Sequence, residues 1–189
     1  MTGKTHRVVG LAGATTYFLC AFPAEYSPAT FGVVLVGAYF ASLIPDLDRS
    51  TADFWENLPM GKTVGKIVDP LIKHRNISHS LLGTLIFVLA TFLILNSFPD
   101  YWGINKDIAF ISISLAYISH LLADMFTVDG IPLFYPIKRP FGLPPKPFDG
   151  VRIYTGKWFE NLILFPLIDI YFVAIIIIKW QDIKTIIFK

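Results

Sequence analysis

Apolar residues gather in five long runs along the chain. The runs cover residues 8–22, 29–44, 79–98, 107–126 and 158–180. A helix needs about 20 mostly apolar residues to cross a bilayer, and the first run approaches that length when it is counted from Gly3. The two long segments between runs, 49–75 and 127–157, are interrupted by proline and glycine, which predicts loops there. The pattern therefore predicts an all-α fold: a polytopic transmembrane bundle of about five helices that forms one domain over residues 1–189.

The composition supports residence in a membrane. Of the 189 residues 54% are hydrophobic, and the mean hydropathy is +0.58, whereas soluble domains are about 45–50% apolar. The formal charge of +2 is too small to indicate a nucleic-acid partner. The single cysteine, Cys20, excludes a disulfide framework. The lipid bilayer is therefore the expected partner.

The fourth run contains two ionisable groups near its end. His120 and Asp124 are four residues apart, so on a helix they lie one turn apart on the same face. Ionisable groups in a membrane helix are costly and usually face a bundle interior or a wet cavity. This pair is half of a metal site, or alternatively a hydrogen-bonded pair that ties two helices together.

The alternation of helix direction extends this pair to a larger group. In a five-helix bundle the start of the first helix, the end of the second, the start of the third, the end of the fourth and the start of the fifth share one side of the membrane. All four histidines and several acids fall at those five places. The convergence favours a metal site over scattered structural polar residues. The candidate ligands are His6, Asp46, Asp48, His74, His79, His120, Asp124 and Glu160.

Imidazole and carboxylate donors without thiols suit zinc, with manganese or iron as alternatives. The candidates exceed what one ion needs, which makes one or two ions the expectation. Such a site lowers the pKa of a bound water and can clamp a phosphoester. Neither a nucleophile elbow nor a phosphate-binding glycine loop is present in the sequence. The candidate catalytic residues are Asp48, Arg75 and Asp124: Asp124 could bridge two ions, and Arg75 could bind an anionic substrate.

Several assignments stay open at this stage. The sequence does not decide between Asp46 and Asp48, or between His74 and His79, as ligands. Glu160 stands in a first helical turn, where an acid is ordinary, and Ser78 is a candidate cap for the third helix. A scaffold in which the polar cluster only joins helices is the alternative to an enzyme. An ion transporter is less favoured, because the polar groups gather on one side rather than through the membrane.

The basic residues orient the bundle. Twelve of the 16 lysines and arginines lie on the side of the candidate ligands. By the positive-inside rule this side is cytoplasmic, which places the N-terminus and the site in the cytoplasm and the C-terminus outside.

Six motifs extend together from His6 to Glu160. They are Thr5-His6 before a glycine-containing helix, Leu43-Ile44-Pro45-Asp46-Leu47-Asp48, His74-Arg75-x-x-Ser78-His79-Ser80, Ser119-His120-x-x-x-Asp124, Gly130-Ile131-Pro132-Leu133-x-x-Pro136 and Thr155-Gly156-x-x-x-Glu160. As an ordered set they resemble the motifs of the YdjM-like inner-membrane metal-dependent hydrolases. The resemblance implies a membrane-bound hydrolase. A phospholipid or another anionic phosphoester is the expected substrate.

The order of the ligands is also similar, more distantly, to the all-helical zinc-dependent phospholipase C and nuclease superfamily. That similarity implies His6, one aspartate of Asp46 and Asp48, His79, His120, Asp124 and Glu160 as zinc ligands. The chain departs from the pattern in two ways. Gly156 stands where the superfamily has a histidine, and no histidine follows Asp124. The departures favour one or two ions over a cluster of three.

Overall fold

The computed structural model describes residues 1–21, 27–48, 75–137 and 139–188. Within these ranges the regular secondary structure is helical, and no strand forms. Six helices carry the fold: α1 (Gly3–Ala21), α2 (Pro28–Ala41), α3 (Leu81–Ser97), α4 (Lys106–Met125), α5 (Phe165–Ile178) and α6 (Trp180–Ile187). Shorter elements are the 3₁₀ turns Ile44–Asp48, Asp100–Trp102 and Phe148–Val151, the four-residue helix Arg75–Ser78 and the π turn Glu160–Leu164.

Each of the five apolar runs forms a helix, which confirms the predicted helical membrane fold. Among the described residues, three segments are long and apolar enough to cross a membrane: Pro28–Asp46, Lys106–Met125 and Glu160–Ile178, with mean hydropathies of 1.6, 1.6 and 2.5. Helix α3 is a shorter apolar helix of 17 residues. Helix α1, with 19 residues, has the length of a span.

Helix α4 lies at the centre of the bundle. It packs against α1, α2 and α3, while α5 packs on the outside of α1. Its buried face includes the small residues Ala109, Ser112 and Ala116, and small residues let membrane helices approach closely. The central position of α4 explains why the pair on its last turn meets residues from the other helices.

One of two glycines near the middle of α1 makes a close contact with another part of the bundle. A Cβ atom on Gly10 would lie 2.5 Å from the Cβ of Ser42, so only glycine permits α1 to approach the end of α2 this closely. Gly13, by contrast, has open space around it, because a Cβ at this position would have no neighbouring atom within 4 Å. Gly10 therefore sets the distance between α1 and the segment that follows α2.

The residues just before α3 determine where this helix begins, next to the candidate site. Ser80, rather than the expected Ser78, caps α3, since its hydroxyl accepts from the Gly83 amide at 3.2 Å. A Cβ on Gly83 would lie 2.0 Å from the Ile77 carbonyl oxygen. Glycine at this position therefore allows the preceding turn to fold back onto the first turn of α3.

The described residues of the segment 127–157 cross the same end of the bundle without an α-helix, as predicted. Two isolated bridges, Thr127 with Ile153 and Ile131 with Phe141, shape it. The Leu81 amide donates to the Leu133 carbonyl at 2.9 Å, which ties the segment to the start of α3. Helix α6, which the sequence pattern did not indicate, follows α5 at the opposite end and buries Ile183 and Ile186.

Candidate metal centre

Four side chains converge at the end of the bundle that the sequence predicted. Asp46, His79, His120 and Asp124 each offer one ligand atom, and these atoms all lie within 4.8 Å of one another. Asp46 stands in the 3₁₀ turn after α2, where Pro45 follows the end of the helix. His79 lies in the turn before α3, and the other two residues are one turn apart on α4.

The distances within this group are too long for hydrogen bonds. The Nε2 atom of His79 is 3.6 Å from Asp46 Oδ1 and 3.5 Å from Asp124 Oδ2. The Nε2 atom of His120 is 3.8 Å from Asp46 Oδ2 and 3.7 Å from Asp124 Oδ2. An N–H···O hydrogen bond needs about 2.7–3.2 Å. The four side chains therefore face one another across a gap.

His120 is oriented with one ring nitrogen toward this gap. Its Nδ1 lies 2.7 Å from the Ser42 backbone carbonyl, which can only accept, so Nδ1 donates its proton there. The ring is fully buried, and its Nε2 has no hydrogen-bond partner among the described residues. A carbonyl that holds the Nδ1 proton leaves the lone pair on Nε2 and is the usual outer support of a metal-binding histidine.

His6 lies directly against His120 and Asp124. Its ring stacks on His120 with centroids 3.5 Å apart and planes 12° apart. Its Nε2 is 3.1 Å from Asp124 Oδ1 but is not aligned for a hydrogen bond, and both ring nitrogens lack a described hydrogen-bond partner. The amino group of Met1 contacts the same Asp124 oxygen. Asp124 is therefore the residue that most of the histidines share.

Opposite charges control the protonation of His79. Burial lowers the pKa of this imidazole, but the carboxylates of Asp124 and Asp46 outweigh burial and raise the pKa from 6.5 to about 9. Without a metal ion, the proton on His79 and the amino group of Met1, which contacts Asp124, are the local counterions of the two acids. A metal ion would replace that proton, because a ligating histidine must be neutral.

Glu160 is buried beside this group rather than within it. Its Oε1 accepts from the Thr2 amide at 2.6 Å and from the hydroxyls of Thr2 and Thr5 at 2.9 and 2.7 Å. Its Oε2 accepts from the Gly156 amide at 2.7 Å. In this structure Glu160 joins the π turn before α5 to the first residues of α1, and so supports the position of His6.

A small polar cavity of about 40 Å³ opens onto the acids of the group. Besides Asp46 and Asp124 its wall includes Asp129, which lies in the predicted loop 127–157 and was not among the candidate ligands. The hydroxyl-bearing residues Thr127 and Thr155 and the positive-φ Gly130 complete much of the lining. The polar sequence Thr127-x-Asp129-Gly130, which directly follows α4, was the feature of the sequence that could have indicated these cavity-lining residues.

The remaining sequence candidates fall outside the described part of the structure. His74 lies outside the described residues. Asp48 and Arg75 belong to described backbone turns, but their side chains are outside what the structure describes. Their assigned roles, and the ligand assignments of His6 and Glu160, therefore stay predictions.

The four converging residues fit a metal ion. With ligand distances of about 2.0–2.1 Å, the donor atoms of a tetrahedral zinc site are about 3.3 Å apart. The imidazole-to-carboxylate separations of 3.5–3.8 Å are close to that value. The set of two nitrogens and two oxygens, with an unpartnered buried nitrogen among them, can hold a divalent ion, and its identity is not fixed by the donors alone.

Comparisons with known proteins place this geometry in context. The family model described as YdjM inner membrane protein matches residues 1–183. The chain is 32% identical over 148 residues to the inner membrane protein YdjM of Escherichia coli (strain K12), covering 76% of this chain and 70% of that protein. It is 30% identical over 166 residues to the uncharacterized protein YvsG of Bacillus subtilis (strain 168), covering 87% and 88%. No solved structure gives a significant match.

Proposed function

This chain belongs to the YdjM inner membrane protein family, and on that premise we propose that it is a membrane-bound, metal-dependent hydrolase of a phosphoester. The proposed site is the group of Asp46, His79, His120 and Asp124, with zinc as the expected ion. The substrate is an anionic phosphoester, such as that of a phospholipid.

The observation that supports the proposal most strongly is the state of His120. A fully buried imidazole nitrogen without a hydrogen-bond partner is costly, and here it faces two carboxylates at 3.7 and 3.8 Å. A purely structural His–Asp pair would close to hydrogen-bond distance. A cation between the rings and the acids satisfies the nitrogen and both negative charges at once.

The chain's own groups have distinct parts in this proposal. A divalent ion bound here would lower the pKa of a water molecule and offset negative charge on phosphoryl oxygens. Asp129 lies on the cavity wall beside the acids and can accept a proton there. The Thr127 hydroxyl donates to the Asp124 carbonyl at 2.7 Å and holds the start of this wall against α4. Arg75 is the predicted contact to the substrate phosphate.

The proposed orientation puts the site at the cytoplasmic surface, with the N-terminus inside and the C-terminus outside. It depends on the positive-inside rule. A reporter fused after Lys189 that is active only in the cytoplasm would overturn it, and a reporter active only outside would support it.

The proposal is tested by metal content and activity on the same samples. The full chain is purified in detergent, its metals are measured by mass spectrometry, and a panel of phosphomonoesters and phosphodiesters is screened for hydrolysis. His120→Ala and Asp124→Ala should lose the metal and the hydrolysis together. Asp100→Ala is the matched control, because Asp100 is an exposed carboxylate paired with Lys106 at 2.6 Å. Undiminished metal in both site variants, or hydrolysis that survives a chelator, would refute the proposal.

A further inference from the structure

A deep apolar groove lies between α2 and α3. Both helices pack on α4, and the space left between them has a volume of about 410 Å³. On the α2 side the lining includes Gly32, Val36, Phe40 and Ile44. The first three of these positions recur every four residues and so follow one face of α2, and Ile44 follows in the 3₁₀ turn. The groove therefore runs along the helix axis rather than across it.

The groove lies at membrane depth and opens outward. Its α2 wall belongs to the candidate span Pro28–Asp46, and its α3 wall is the apolar helix Leu81–Ser97. Val36 and Ile94 on opposite walls are 59% and 58% exposed. Nothing in hydrocarbon satisfies a polar occupant of such a groove. Because its walls are apolar and lie within the hydrocarbon region of the membrane, the groove suits a hydrocarbon chain of a bilayer lipid.

The length of the groove suits an extended chain. Nine residues separate Gly32 from Ala41 at the end of α2, which corresponds to roughly 14 Å at 1.5 Å per helical residue, and Ile44 in the 3₁₀ turn extends the lining further. The floor is close and continuous, because the Ile113 side chain of α4 packs against Gly37, whose absent Cβ would lie 2.4 Å from it. The dimensions are those of a slot for one chain rather than of a broad protein interface.

One end of the groove meets the candidate metal centre. Ile44 is two residues before Asp46. At the same end Phe87 of α3 stacks on Tyr117 of α4, with centroids 4.2 Å apart. The Tyr117 hydroxyl donates to the Ser78 carbonyl at 2.5 Å, and Ser78 directly precedes His79. Two walls of the groove thus end at two of the four converging residues.

We propose that the substrate is a phosphoester of a bilayer lipid, with one hydrocarbon chain in the groove between α2 and α3 and the phosphate at Asp46 and His79. This inference rests on the proposed function and names its substrate class. In the reaction the oxygen of water forms a bond to phosphorus, and the phosphorus–oxygen ester bond breaks. The leaving oxygen takes up one proton of the water, so that the products are an alcohol and a phosphate with one ester bond fewer. The lipid reaches the site by lateral movement within the bilayer.

Gly32 offers a way to block the groove. The position is open, with no atom within 4 Å of the place a Cβ would take. Gly32 also lines the groove, so we expect the ring of Gly32→Phe to occupy groove volume, and the melting check below tests whether the fold accepts it. Gly13→Phe is the matched control, because Gly13 on α1 is equally open and does not line the groove. Both variants are made in the full chain in lipid nanodiscs with zinc, and both are melted to check folding.

The first readout compares the hydrolysis of substrates that carry hydrocarbon chains with that of substrates that carry none. The lipids are dipalmitoyl phosphatidic acid and dipalmitoyl phosphatidylglycerol; the water-soluble probes are p-nitrophenyl phosphate and bis(p-nitrophenyl) phosphate. Gly32→Phe should slow hydrolysis of the lipid by at least about tenfold, equivalent to about 1.4 kcal/mol of lost binding, and leave the soluble probe unchanged. Gly13→Phe should change neither rate. Equal rates for Gly32→Phe and wild type on the lipid would overturn the groove while the hydrolase proposal stands.

The second readout does not need activity. Phosphatidic acid with a photoreactive diazirine in one acyl chain should label α2 and α3 peptides that line the groove, and Gly32→Phe should abolish that labelling. Labelling without any hydrolysis would support the groove and count against the proposed function. Labelling that Gly32→Phe does not alter, or crosslinks between two copies of the chain through these helices, would overturn the groove as a lipid site.

Discussion

Replacement of Glu160 by glutamine should destabilise the protein although it changes neither the size nor the shape of the side chain. The carboxylate is fully buried and accepts four hydrogen bonds, three at Oε1 and one at Oε2. A glutamine amide has one acceptor oxygen and one donor group. If its oxygen takes the donors from Thr2 and Thr5, its NH₂ faces the Gly156 amide and both donors are left unsatisfied.

The magnitude follows from the bonds that are lost. Hydrogen bonds to a charged group contribute about 1.5–3 kcal/mol each, and an unsatisfied buried donor costs about 1–3 kcal/mol. We therefore expect Glu160→Gln to lower the free energy of unfolding by about 3 kcal/mol, and Glu160→Ala by more. For a chain of this size that is a fall of roughly 6–12 °C in melting temperature.

Tryptophan fluorescence during thermal melting in detergent measures this effect. Asp182→Asn is the control, because Asp182 forms a partly exposed ion pair with Lys179 at 3.1 Å, and such pairs contribute at most about 1 kcal/mol. Wild-type melting of Glu160→Gln would refute the reasoning. Metal content of the same samples separates two roles: retained metal in a destabilised variant assigns Glu160 to the hydrogen-bond network, and lost metal supports the ligand role predicted from the sequence.

Two further predictions concern the protonation of His79 and the packing of Gly10 in α1. The raised pKa of His79, from 6.5 to about 9, means that its protonated form stabilises the metal-free fold fully below pH 6.5, and that this contribution disappears as the pH rises through 9. The melting temperature of chelator-treated protein should therefore fall across that window, and a flat profile would contradict the assignment. Gly10→Ala should cost about 1–3 kcal/mol by overpacking, because the new Cβ would lie 2.5 Å from that of Ser42. Gly13→Ala has open space and should melt within about 0.5 kcal/mol of wild type, so equal losses in the two variants would disprove the packing argument.

The sequence predicted the end of the bundle at which the polar groups meet, because the alternation of helix direction alone determines it. It did not separate Asp46 from Asp48, since both follow the same helix end and their side-chain directions depend on the 3₁₀ turn Ile44–Asp48. The structure brings Asp46 into the group, while the side chain of Asp48 lies outside its described part.

The hydrophobic pattern could not predict features that depend on the conformation of the loops and turns between the helices. Asp129 reaches the cavity wall because bridges between distant parts of segment 127–157 fold it back over α4, and no periodicity encodes such pairings. The cap of α3 is Ser80 rather than Ser78, since a four-residue helix precedes it and shifts the start of α3. The Ser42 carbonyl that orients His120 is a backbone group, which a search for functional side chains does not find.

Metal binding should be coupled to folding, because the four converging residues come from three separate parts of the chain. Asp46 follows α2, His79 precedes α3, and His120 and Asp124 lie on α4, so the site exists only when all three are packed together. A ligand that binds only the folded state stabilises it by about 4 kcal/mol when its concentration is 1,000 times its dissociation constant. Zinc added to chelator-treated protein should therefore raise the melting temperature in proportion to the logarithm of the free zinc concentration. Asp124→Ala should remove this dependence while Asp100→Ala keeps it. A melting temperature that does not respond to zinc, manganese or iron in the wild-type protein would show that the gap between the two histidines and the two acids is not a metal site.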